Sequence, residues 1–211
     1  MAETATMTEM LAALKKEIAR ATSLSGGPAG HEPAYRYLGD PPGKAVIEAY
    51  LQEQRSTESK GQAHPIFSVE LPPLVQERSP LVEVLSKALD LPMSGKWQDR
   101  LLAEERLAEQ LRARQVELVI IADAHHLIGR PLAREWLISF FRQHLNHVPL
   151  LLVGESKLMD DLLLWKASAG VVRRFRRIRL PGEPERQENA ESRAHLHRLL
   201  GIKDKEEGQR S

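Results

Sequence analysis

The sequence predicts an α/β domain built on a mainly parallel sheet flanked by helices. Three observations lead there. Residues 116–122 (VELVIIA) form a nearly continuous apolar run rich in β-branched side chains, which suits a strand buried on both faces of a parallel sheet. Residues 148–153 (VPLLLV) form a second such strand. Strand-like and helix-like segments alternate along the chain, the order that joins parallel strands through crossover helices.

Taken in order, residues 7–21 place Met7, Met10, Leu11, Leu14 and Ile18 on one helical stripe. Thr6 and Glu9 stand at capping-box spacing before it. This helix precedes the first strand, so it packs either on the domain itself or on a partner. Residues 25–33 are a glycine- and proline-rich connector. A short apolar strand at Tyr35 runs into a glycine-bounded turn, and a helical pattern follows through Val46, Ile47, Ala49, Tyr50 and Leu51. Residues 55–63 are polar and read as a loop, and residues 64–71 (HPIFSVEL) as a second strand. Ser79-Pro80 opens a helix continued by Leu81, Val82, Leu85, Ala88 and Leu89. Residues 96–114 form another, with Trp97, Leu101, Leu107, Ala108 and Leu111 on one face. Between the two apolar strands, Leu132, Trp136, Leu137, Phe140, Phe141 and Leu145 make a strong helical stripe. Ser156 caps a helix over 157–167, residues 176–180 are a last short strand, and residues 184–200 a final helix before a charged tail.

Composition narrows the function classes. A chain of 211 residues with 42% hydrophobic content is long enough for a real core. Its net charge of +1 gives no whole-protein field that calls for nucleic acid or membrane. The absence of cysteine removes disulfide and thiol chemistry and fits a reducing compartment. No apolar run reaches the roughly 18–20 residues of a membrane span, and the N-terminus lacks a basic-then-apolar signal pattern. The expectation is a cytoplasmic protein with no membrane partner.

Three stretches bear on chemistry. The first is Gly39-Asp40-Pro41-Pro42-Gly43-Lys44-Ala45, between a strand and a helix. Backbone N–H groups at a helix start hold phosphate, and a lysine there adds charge. Yet only Asp40, Pro41 and Pro42 separate the glycines, where the phosphate-loop motif has four residues. Ala45 stands where a magnesium-binding hydroxyl is required, and the two prolines remove N–H donors. An ordinary proline-glycine turn is the competing reading. The second stretch ends a buried strand in Asp123-Ala124-His125-His126-Leu127. Nucleotide hydrolases place a magnesium carboxylate at such a strand end, with a further group to orient the attacking water. If Asp123 is the metal carboxylate, Ala124 replaces the water-orienting acid; if Asp123 is that second acid, Ala122 replaces the first. Adjacent His125 and His126 lack the one-turn separation of a helical metal pair. The third stretch holds Arg173, Arg174, Arg176, Arg177 and Arg179 around Phe175. An arginine there can contact phosphate on a neighbouring subunit or DNA backbone, and a solvated basic edge strand is the competing reading.

The order of these motifs resembles the TniB-type transposition ATPases, relatives of TnsC and MuB within the AAA+ class of P-loop NTPases. The stretches concerned are the Gly39…Gly43-Lys44 turn, the Asp123–Leu127 strand end, Leu-Leu-Leu-Val-Gly-x-Ser at 150–156 and Arg-Phe-x-x-Ile-x-Leu-Pro at 174–181. The resemblance spans roughly residues 33–181. It implies an AAA+-like core over 33–182, an N-terminal helix and linker over 1–32, and a C-terminal helix and tail over 183–211. It also implies ATP and magnesium as cofactors, assembly with AAA+ subunits on DNA, and recruitment of a transposase and other transposition proteins. Matched residue by residue, Gly39, Gly43 and Lys44 correspond to the phosphate loop and Asp123 to one of its acids. Residues 154–156 correspond to the sensor position, and Arg174 to the arginine finger. The departures are the shortened loop, Ala45, the missing second acid and a helical lid that the sequence cuts short. Loss of one transition-state donor costs about 3–4 kcal/mol, so several losses at one site argue against efficient turnover. The resulting expectation is an ATP-binding accessory protein with hydrolysis lost. A slow, atypical ATPase and a protein-interaction module that keeps the fold are the alternatives.

Overall fold

A computed structural model describes residues 5–25, 35–40, 42–58, 65–73, 78–91, 97–127, 130–155 and 176–182. Its elements run α1 (Met7–Ser25), β1 (Tyr35–Asp40), α2 (Gly43–Glu58), β2 (Ile66–Glu70), α3 (Arg78–Ala88), α4 (Trp97–Ala113), β3 (Leu118–Ala122), α5 (Pro131–His144), β4 (Leu150–Glu155) and β5 (Arg176–Arg177). A 3-10 turn, Ala124–Leu127, follows β3.

The five strands form one sheet in the order β2-β3-β4-β1-β5, and every pairing is parallel. Alternation of side chains along each strand sends residues to two faces. On one face Leu38, Leu118, Ile120, Leu151 and Val153 pack with Leu14 and Ile18 of α1 and Val46, Ile47 and Tyr50 of α2. On the other, Tyr35, Tyr37, Phe67, Val69, Val119, Ile121, Leu150 and Leu152 pack with α3, α4 and α5. Residues 118–121 of β3 are therefore buried, as the apolar run predicts. The helix α1 packs on this protein's own core. Its start carries the expected capping box: Glu9 Oε2 accepts from the Thr6 N–H at 2.8 Å, and Thr6 Oγ1 accepts from the Glu9 N–H at 3.3 Å. Lys15 pairs with Glu53 and ties α1 to α2.

Several boundaries differ from the sequence expectation. Residues 55–58 continue α2 as a helical turn, because a polar helix face in solvent needs no apolar residue to hold it. In α5 the buried stripe is Ala133, Trp136, Leu137, Phe140 and Phe141, while Leu132 is 57% exposed. One residue is about 100° of helix, enough to turn Leu132 out of the core at the first turn. The ladder of β5 covers only Arg176 and Arg177, although Ile178 N–H still reaches the Tyr37 carbonyl at 2.8 Å. Ile178 and Leu180 are buried and Arg179 is exposed, in the alternation expected of that segment. The helices expected at 157–167 and 184–200, and Arg173, Arg174 and Phe175, lie outside the described residues.

The turn from β1 into α2 is tight. A Cβ on Gly43 would stand 3.0 Å from Leu38 Cγ, so glycine lets the helix start lie against the strand it has just left. Gly43→Val should cost about 1–3 kcal/mol of stability through overpacking. A urea-unfolding midpoint equal to wild type would show that the turn has more room than this.

Candidate functional site

Parallel strands bring all their carboxyl ends to one edge of the sheet, and open α/β sheets bind ligands there. At that edge stand the turn after β1, Glu70 at the end of β2, Asp123 after β3 and Glu155 at the end of β4.

The phosphate-loop candidate divides into two parts. Gly39 and Asp40 belong to the β1 ladder, opposite Gly154 and Glu155. Pro41 lies outside the described residues. At the start of α2 the Val46 N–H donates to the Pro42 carbonyl at 3.2 Å. Gly43, Lys44 and Ala45 form the first turn of α2, and a helix start favours an anion. The sequence leaves three residues between the glycines, so the α2 terminus and Lys44 are the candidate cradle.

Lys44 reaches across the sheet edge. Its ammonium lies 3.0 Å from Glu70 Oε1 and 3.5 Å from Asp123 Oδ2. The hydrogen bond with Glu70, followed by the charge of Asp123, holds the amine above the usual lysine range. Asp123 adopts a left-handed backbone, φ 53°, which an aspartate tolerates better than most residues. Partial burial works to raise its carboxyl, but contact with Glu70 and the Lys44 ammonium outweigh burial and leave it below the ordinary aspartate range.

The adjacent histidines diverge, as their spacing implies. His126 Nδ1 lies 2.8 Å from the Leu71 carbonyl, just past β2, and His125 Nδ1 accepts from the Glu155 N–H of β4 at 3.4 Å. Together they tie the turn after β3 to the ends of both neighbouring strands. Asp123 is therefore fixed between β2 and β4 by the two residues that follow Ala124.

Glu70 is the site residue that sequence reasoning missed. The positions beside Asp123 in the chain are Ala122 and Ala124. The register supplies a second acid from the next strand, because Glu70 pairs with Ala122. Only strand order could have revealed it.

The donors suit a nucleotide phosphate better than a free metal. Helix-start N–H groups and a lysine are phosphate ligands. Among the described residues no group of three or more metal-ligating side chains comes together. Magnesium binds through one or two carboxylates plus substrate phosphates, so Asp123, with Glu70 beside it, is where a nucleotide-borne magnesium would be held. Arg174 lies outside the described residues, and so does Ser156 of the sensor segment.

Comparison with known proteins bears on the whole arrangement. The family model described as bacterial TniB protein matches residues 10–184. No curated protein matches the sequence. Among solved structures, the Aeropyrum pernix ORC2 protein in its ADP form is similar with a TM-score of 0.55 and 13% identity, over 90% of this chain and 52% of that one. The ADPNP-ADP complexes of the same protein give a TM-score of 0.52 and 13% identity, over 79% and 47%. The chain thus spans about half the length of these structures, and the likeness is one of fold: an AAA+ P-loop NTPase sheet with its helices. Among the described residues, no helix is long and apolar enough to cross a membrane.

The pairing of Asp123 sets a pH dependence. A carboxyl held low in the folded state contributes stability that is present above its unfolded pKa of about 3.9 and is lost as pH falls through the folded value. Wild type should therefore exceed Asp123→Asn in stability at neutral pH, with the gap closing below about pH 4. A gap that stays constant on acidification would show that the carboxylate is not held this way.

Proposed function

The chain belongs to the TniB family, and from that premise we propose that it is a nucleotide-binding AAA+ protein acting in transposition. Its α2 terminus and Lys44 take the phosphates of ATP, and Asp123 faces any magnesium that the nucleotide brings. The observation that supports this best is the meeting of Lys44 with Asp123 across the carboxyl edge of the sheet, 3.5 Å apart although 79 residues separate them in the chain. That convergence puts a cation at a helix start and an acid at a buried strand end on one spot, where phosphoryl chemistry needs both.

Hydrolysis is weak or lost in this reading. Ala45 offers no oxygen to the metal, and Ala122 and Ala124 leave Asp123 without an acid beside it in the chain. The protein then acts through assembly. Arg174, preceding Phe175, serves as the finger that reaches the nucleotide of a neighbouring AAA+ subunit. The basic segment around it faces partners or DNA backbone, and the complex recruits or regulates a transposase on target DNA.

Calorimetry with ATP and magnesium tests the core of this proposal. Wild type should bind saturably, and Lys44→Ala should weaken binding at least about tenfold, as expected for a lost charged contact of roughly 1.5–3 kcal/mol. Absence of binding at millimolar nucleotide would contradict it. In the same experiment series, wild type should change the ATPase rate of a hydrolysis-competent paralogue and Arg174→Ala should not. Equal effects of the two proteins would remove Arg174 from the finger role.

A further inference from the structure

We propose that Glu70 is a counter-anion that competes with the polyphosphate of a nucleotide for Lys44. The inference rests on the nucleotide reading above and adds to it the group that sets the threshold for binding.

The geometry separates a fixed carboxylate from a loose one. Asp123 is 21% exposed and its turn is tied to both neighbouring strands by His125 and His126. Glu70 is 63% exposed, at the last position of an edge strand, and can leave without opening the core. Yet Glu70 makes the shorter contact, 3.0 Å against 3.5 Å. Lys44 stands at the start of the helix that leaves β1 and Glu70 at the end of β2, three places away in the strand order, and the two side chains meet between them. The ammonium is thus already engaged by carboxylates from two other strands. A phosphate seated at the start of α2 competes with them for it.

Charge gives the competition its direction. Two carboxylates on one ammonium leave one negative charge in surplus beside the cradle. An arriving polyanion meets that surplus until a carboxylate moves, and Glu70 is the one free to move. Asp123 stays in place to face the metal. Glu70 is accordingly a positioning residue that acts through Lys44 and makes no contact with the reacting phosphate.

The test uses the full chain, ATP with magnesium, and two readouts. Calorimetry compares wild type, Glu70→Gln, Lys44→Ala and the double variant. Glu70→Gln should tighten ATP binding about two- to fivefold, the scale of an exposed ion pair. The same substitution should do nothing in the Lys44→Ala background, because the effect runs through that side chain. Limiting acetylation with acetic anhydride, read by mass spectrometry, follows Lys44 without any nucleotide. Its rate should rise about two- to fivefold in Glu70→Gln, with other lysines unchanged. Unchanged labelling of Lys44 overturns the proposal, and so does equal tightening in the Lys44→Ala background, which would mark a general relief of negative charge. Faster labelling with no ATP bound by wild type or Glu70→Gln overturns the nucleotide reading of the cradle, and the competition falls with it.

Discussion

The contact of Lys44 with Asp123 and Glu70 depends on one constraint, the strand order of a parallel sheet. Every strand must deliver its carboxyl end to the same edge, and the order β2-β3-β4-β1-β5 decides which ends are neighbours. Adjacent strands lie about 4.8 Å apart, so β1 and β3 are about two spacings distant with β4 between them. A lysine on the first turn of α2 can span that gap only over the end of β4. The register places Gly39 beside Gly154 one residue before those strands end, where neither carries a side chain. The sheet thus positions a cation and two acids that the chain itself keeps far apart.

Packing on both faces fixes this edge. The residues of β3 alternate between the α1–α2 cluster and the α3–α5 cluster, so a shift of one residue would exchange two different apolar surfaces. Crossovers after β1 and after β3 leave on opposite faces, which opens the edge between them for a ligand. The close approach of Gly43 to Leu38 brings the α2 terminus to the same level as the strand ends.

Much of the fold was legible in the sequence. The apolar runs at 118–121 and 150–153 read as buried strands because no polar residue interrupts them, and the stripes of α1 and α5 read as helices because their periods are regular. The capping box of α1 is local and was visible as a spacing. Helix ends were harder. Gln115 and Asp90 end α4 and α3 in left-handed conformations with paired bonds back to Leu111 and Arg112 and to Ser86 and Lys87. The signal for that ending is usually glycine, and here there is none.

The site was half legible for the same kind of reason. Lys44 and Asp123 announce themselves by what surrounds them in the chain, a turn into a helix and the end of an apolar strand. Glu70 sits 26 residues from Lys44 on a strand whose neighbours only the fold defines. Backbone amide chemical shifts during an ATP titration test the α2 terminus as a phosphate cradle most directly. Saturable shifts are expected at Gly43, Lys44 and Ala45, with Asp123 following. Shifts confined to other elements, or none at millimolar ATP, would contradict a cradle there.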